Sequence, residues 1–177
     1  MREAGFEFTI QTTEVKEDYP PQMKIAQVPE YLAQKKAEAL AQLSFGNIIL
    51  TADTIVTKDD MILGKPESSE EAIHMLTSLS GKAHQVVTGV CIVHQGNMTT
   101  FSETTEVHFR EISNEEITYY IKHYAPFDKA GAYGIQEWIG HIGIEKINGS
   151  YFNVVGLPIS KLYNTLKELS LVLPLVI

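Results

Sequence analysis

The chain has 177 residues, 44% of them hydrophobic and 20% charged, with a formal net charge of −8 at pH 7. This size suits one domain spanning residues 1–177 with its own core, and the composition excludes a disordered chain of low hydrophobicity. The acidic balance disfavours a nucleic-acid polymer as partner but leaves room for a small phosphorylated ligand held by local lysines.

Residues 7–11 read as a short strand, and the polar, acidic, proline-bearing residues 12–22 as a loop. Pro29 suits the first turn of a helix. Tyr31, Leu32, Lys35, Ala39, Leu40 and Leu43 continue it at helical spacing to a stop at Gly46-Asn47. Residues 48–56 form a β-branched apolar run, the pattern of a strand buried on both faces. Ser68 and Glu71 have capping-box spacing and introduce a helix with Ala72, Ile73, Leu76 and Leu79 on one face, closed by Gly81. Residues 85–94 and 98–109 are strand-like runs joined as a hairpin across Gly96-Asn97. Ser113 and Glu116 repeat the box and open a helix carrying Ile117, Tyr120, Ile121 and Tyr124. After a glycine-rich loop, residues 142–147 and 151–155 form a second strand pair across Asn148-Gly149. Pro158 starts a last helix with Leu162, Leu166 and Leu169 inward. Strands and helices alternating with two hairpins predict an α/β fold, a mixed β-sheet with helices on its faces.

The single cysteine, Cys91, excludes an internal disulfide. It lies in an apolar run and reads as a small buried hydrophobe. Residues 1–5 lack the apolar core of a signal peptide, and no run reaches the roughly 18 apolar residues of a membrane span. A cytoplasmic chain is expected. The apolar tail, residues 171–177, would pack as an edge strand or against a second copy, which would suit a homodimer.

Several residues can carry chemistry. Asp53 sits within the apolar run, where a buried, unpaired carboxylate is costly. It is either hydrogen-bonded in a structural role or reaches a cleft as metal ligand or general base. Lys65, in Gly64-Lys65-Pro66, has a defined exit direction that suits a phosphate, or is a solvated loop lysine. The string is no P-loop. Asp128-Lys129-Ala130-Gly131-Ala132-Tyr133-Gly134-Ile135-Gln136 permits close backbone approach to a ligand, and Gln136 carries the donor and acceptors needed to read a base edge. A tight structural loop is the alternative. Glu14, Glu17 and Asp18 form an acidic loop, by default a solvated charge run. The six histidines show no zinc spacing, and no Gly-x-Ser-x-Gly elbow supports a serine hydrolase.

Lys36-Ala37, Thr51-Ala52-Asp53-Thr54, Gly64-Lys65-Pro66, Thr88-Gly89-Val90, the segment Asp128 to Gln136, and Asn153-Val154-Val155-Gly156-Leu157-Pro158, in this order, resemble the Maf family of nucleoside triphosphate pyrophosphatases. The resemblance implies a nucleotide-binding cleft and hydrolysis between the α- and β-phosphates with a divalent cation, magnesium or else manganese. It implies that Asp53 is the general base or metal-side carboxylate, that Lys36 and Lys65 neutralise phosphate, and that Glu14 is an acidic metal or substrate position. Thr54, Gln136 and Thr88 would contact substrate. Tyr133-Gly134-Ile135-Gln136 resembles the branch acting on dTTP and UTP, whereas the 7-methyl-GTP branch carries a Phe-Lys-Ser-Glu-like string. Glu137 stands where many members have glycine. Family members usually open with a strand and a Ser-x-Ser-Pro-Arg-Arg loop ahead of the segment matching Glu3-Ala4-Gly5-Phe6. Without that loop its phosphate contacts would be lacking and a sheet edge exposed. The enzyme reading therefore stands beside a nucleotide-binding protein without turnover, regulating cell division at septum formation.

Overall fold

The computed structural model describes residues 1–40 and 46–171. Leu43 and the tail beyond Leu171 lie outside the described residues. Helix α1 (Val28–Ala39) precedes β1 (Ile49–Lys58), β2 (Met61–Leu63), α2 (Ser69–Leu79), β3 (Ala83–His94) and β4 (Asn97–Phe109). Then follow α3 (Asn114–Tyr124), α4 (Trp138–Gly143), β5 (Ile144–Asn148), α5 (Tyr151–Val155) and α6 (Ile159–Glu168). The strands form one sheet in the order β2-β1-β3-β4-β5, and each neighbouring pair is antiparallel. The α/β architecture with helices against a sheet is the expected one. Among the described residues no helix is long and apolar enough to cross a membrane.

Alternation along β1 sorts the layers, because successive strand side chains leave opposite faces. Ile49 and Ile55 meet α1, packing with Ala33, Ala37, Val28 and Leu32. Leu50 and Ala52 meet α6 through Leu162 and Leu166, and Val56 joins the main core under α2 and α3. Burying a side chain such as Leu32 contributes about 2 kcal/mol. Cys91 is fully buried within this packing, as expected, and burial first, then the nearby Glu38 charge, push its thiol up to about 11.

Helix boundaries follow local chemistry. Ser113 accepts from the Glu116 N–H while the Glu116 carboxylate accepts from the Ser113 N–H, a complete capping box. Ser68 accepts from the Glu71 N–H, but the Glu71 carboxylate turns to the Glu67 N–H instead.

Several expectations are corrected. Residues 7–11 form no strand; they are exposed and pair with no strand among the described residues. The β3–β4 turn is Gln95-Gly96, both at positive φ, one position earlier than expected. Residues 151–155 are helix rather than strand, because Ser150 caps the Asn153 N–H and the Asn153 side chain is buried against β3 and β4. Strand β2, after the left-handed pair Asp59-Asp60, and helix α4 were not anticipated. Ile73, Tyr124 and Leu169 are exposed, not inward. In the middle of β1, residues 50–54 are only half-buried, and residues 52–54 border a cleft.

One close approach fixes the position of α1. A Cβ at Gly89 of β3 would lie 2.2 Å from the Glu30 backbone nitrogen and 2.3 Å from the Pro29 carbonyl carbon. Backbone cannot yield as a flexible side chain can, so Gly89→Ala must push the helix off the sheet. A loss of about 2 kcal/mol or more is expected, lowering Tm by roughly 4–8 °C in a thermal melt.

Candidate active site

A cleft of about 720 Å³ opens beside β1 and is bordered by α1, the loop after β2, the segment before α4, and the C-terminal end of α5. Both Asp53 and Thr54 line it. Consecutive strand residues point to opposite faces, so the cleft wraps around the edge of β1. That edge is open because β2 pairs with residues 56–58 only.

On the α1 face the cleft is charged. Lys36 follows Pro29 by two helical turns and Leu32 by one, which aims it at the sheet. Its Nζ lies 2.5 Å from Asp53 Oδ1 and 2.9 Å from Glu17 Oε1. Lys65 Nζ lies 3.6 Å from Glu17 Oε2. The Asp53 side chain is 9% exposed. Burial outweighs the pull of Lys36 and holds its carboxyl above the usual range. Burial acts on Lys36 in the opposite sense, but the bonds to Asp53 and Glu17 keep its ammonium charged and raise it. The Lys36 hydrogen bond lowers Glu17.

On the other face the lining is neutral near Thr54, with Val154, Val155 and Gly156 beside it. Thr54 Oγ is 2.9 Å from Thr88 Oγ across the β1–β3 pair. Gln136 lies exposed on the cleft lining, and Lys129 and Tyr133 line it as well. Lys129 Nζ is held by Asp128 at 3.0 Å and Glu137 at 3.2 Å. Glu137 also accepts from the Tyr120 hydroxyl, which in turn accepts from the Gly134 N–H at 3.1 Å. Glu137 thus braces the loop from behind. Tyr133 is buried edge-on against Phe109 and His84, with its hydroxyl 2.7 Å from His84 Nε2. Burial, with the charges of His108 and Lys58, pulls His84 down to about 4, so its ring is neutral at neutral pH.

The structure therefore brings together Asp53, Lys36, Lys65, Thr54 and Gln136. It does not bring Glu14 there: that side chain is exposed and outside the cleft lining, while Glu17, three residues on, is the carboxylate at the lysines. Thr88 is fully buried behind Thr54 rather than in the cleft. Glu17 and Lys129 were overlooked as site residues, although both stand in segments already singled out. The cleft thus pairs two carboxylates through Lys36 on one face, and sets the neutral wall at Thr54 and the Gln136 amide, with Lys129 near it, on the other.

The Maf-like protein family model matches residues 1–169. The chain belongs to the Maf family. Its relatives include a protein named dTTP/UTP pyrophosphatase from Bacteroides thetaiotaomicron, 48% identical over 96% of this chain and 89% of the relative. One of the same name from Phocaeicola vulgatus is 50% identical over 93% of this chain and 86% of its own. Another, from Porphyromonas gingivalis, is 51% identical over 88% and 79%.

For this Maf-family chain the Asp53 shift has a stability consequence. A carboxyl with a folded pKa above its ordinary 3.8 binds more protons folded than unfolded. Its contribution to stability therefore falls as pH rises from 3.8 through the raised value, and the penalty is fully present above it. Asp53→Asn removes the penalty. The substitution also takes a partner from Lys36, so the pH trend is the test: the Tm difference between variant and parent is expected to move in the variant's favour as pH rises from 3.8, and a difference that moves the other way would contradict the assigned direction.

Proposed function

We propose that this chain hydrolyses dTTP and UTP to the nucleoside monophosphate and pyrophosphate. The observation that carries the reading is Lys36 Nζ standing between Asp53 and Glu17 at the cleft, with Lys65 on the far side of Glu17. The names of relatives about half identical to it support the substrate.

In this reading Lys36 and Lys65 neutralise the triphosphate and hold it in line for attack. Lys129, braced by Glu137, extends the positive lining. Asp53 Oδ1 stays on Lys36, and its other carboxylate oxygen takes the proton from a water that attacks the α-phosphorus. The new bond joins the water oxygen to that phosphorus, the α–β bridging bond breaks, and pyrophosphate leaves with the bridging oxygen. A carboxyl held above its usual range is a better proton acceptor than an ordinary aspartate.

The donor set also fits a divalent cation. Magnesium is commonly held by one or two carboxylates together with substrate phosphates, and Asp53 and Glu17 are the two that lie within reach of one lysine. When bound it would supply Lewis-acid charge to the phosphates. The composition and the buried thiol suit a cytoplasmic setting.

The test is pyrophosphate release from dTTP, UTP, CTP and 7-methyl-GTP with magnesium. Release from dTTP and UTP that ceases with chelator is expected. Asp53→Asn should lower kcat by about 100-fold or more, and the acid limb of kcat/KM should lie above pH 3.8, following Asp53 deprotonation. An unchanged kcat would remove Asp53 as the base, and no release from any nucleotide would leave binding without turnover as the better description.

A further inference from the structure

Behind Thr54 the hydrogen bonds run in one direction. Thr88 is fully buried, and its Oγ lies 2.9 Å from the Asn153 carbonyl oxygen and 2.9 Å from Thr54 Oγ. A carbonyl only accepts, and a threonine hydroxyl has one proton to give. The Thr88 proton goes to Asn153, since turning it toward Thr54 would set two oxygens lone pair to lone pair in a site closed to water. Thr54 must then donate to Thr88. Its own proton is spent there, and it presents only lone pairs to the cleft.

The frame that imposes this direction is rigid. The Asn153 carbonyl also accepts the Gly156 N–H at 3.0 Å. The Asn153 side chain, fully buried, donates to the Val86 carbonyl and to Thr105 Oγ, each at 3.0 Å. The ligand side of Thr54 is left uncovered: Gly156, at φ +118, is the neighbouring residue, and a Cβ there would lie 3.6 Å from Thr54 Oγ.

We propose that Thr88, by fixing this hydrogen-bond polarity, makes Thr54 an acceptor-only contact that selects bases with a protonated ring nitrogen, uracil and thymine over cytosine. This rests on the cleft being the pyrimidine nucleotide site described above. In a nucleotide, uracil and thymine each offer one ring donor, the imide N3–H, and two carbonyls that only accept. An acceptor-only hydroxyl can pair with N3–H alone. Cytosine brings a bare nitrogen lone pair to the same place, and its donor, the exocyclic amino group, stands one ring position away, where uracil and thymine carry a carbonyl. Thr88 touches no substrate; it is a positioning residue acting through Thr54.

The experiment measures kcat/KM for UTP and CTP, and the affinities of UMP and CMP by calorimetry, in the parent, Thr88→Val and Thr88→Ser. Valine keeps the buried shape and frees the Thr54 hydroxyl to rotate and donate. The UTP-to-CTP ratio should fall about tenfold in Thr88→Val, the scale of one neutral hydrogen bond, and return in Thr88→Ser. A merely structural role would lower both substrates alike and leave the ratio unchanged, which overturns the proposal. If Thr88→Val does not fold, Thr54→Val decides the matter, since its side chain borders the cleft: the ratio must collapse there too, and a retained ratio overturns it. Should the parent turn over no triphosphate, hydrolysis is lost as a reading, while polarity is still decided by binding. UMP preferred by the parent and lost in Thr88→Val supports it; equal affinities in the parent overturn it.

Discussion

Helix α1 lies against β3 only because Gly89 has no Cβ, and the charged half of the cleft depends on that contact. With the Pro29–Glu30 backbone pressed onto the strand, two further helical turns carry Lys36 to Asp53, the neighbour of Gly89 across the β1–β3 pair. If the helix stood off by the width of a methyl group, the lysine would lose its aspartate. The carboxylate would then be nearly buried without a cation, which is far costlier than either a paired or a solvated one. Packing in one place thus sets electrostatics in another.

The chain as a whole is acidic, yet its cleft gathers three lysines. Lysines 36, 65 and 129 each face carboxylates. Under the proposed function, these carboxylates hold the ammonium groups where a polyphosphate would find them, sparing the side-chain ordering that loose lysines would require on binding.

Where the sequence was legible, a short-range rule had a single outcome. The Ser113–Glu116 box needs only two residues in register, and the β3–β4 hairpin needs only a tight turn between apolar runs. Residues 151–155 misled because their aromatic and β-branched character favours a strand, whereas a cap at Ser150 and the burial of Asn153 decide for helix; both are visible only in three dimensions. Residues 7–11 show strand-like patterning but pair with no strand among the described residues. At the site, Asp53, Lys65 and Gln136 stand out from their sequence surroundings, whereas Lys36 and Thr54 stand out only through the family resemblance. Glu14 and Glu17 share one acidic loop, and only the path of that loop past α1 distinguishes them. Thr88 was legible as important, but its burial behind Thr54 was not.

The adjacency of Asp53 and Thr54 has a consequence for how this protein can change. The two halves of the cleft are out of phase by a single residue of β1, one on each face of the sheet. A one-residue insertion or deletion within that strand would exchange the faces of everything beyond it, sending a carboxylate toward the neutral wall and a hydroxyl toward the lysines. The left-handed turns Asp59-Asp60 and Gln95-Gly96 lie outside β1, so extra chain there would leave its phase unaltered. Strand β1, which ends before the first of these turns, behaves as a fixed reading frame for the site.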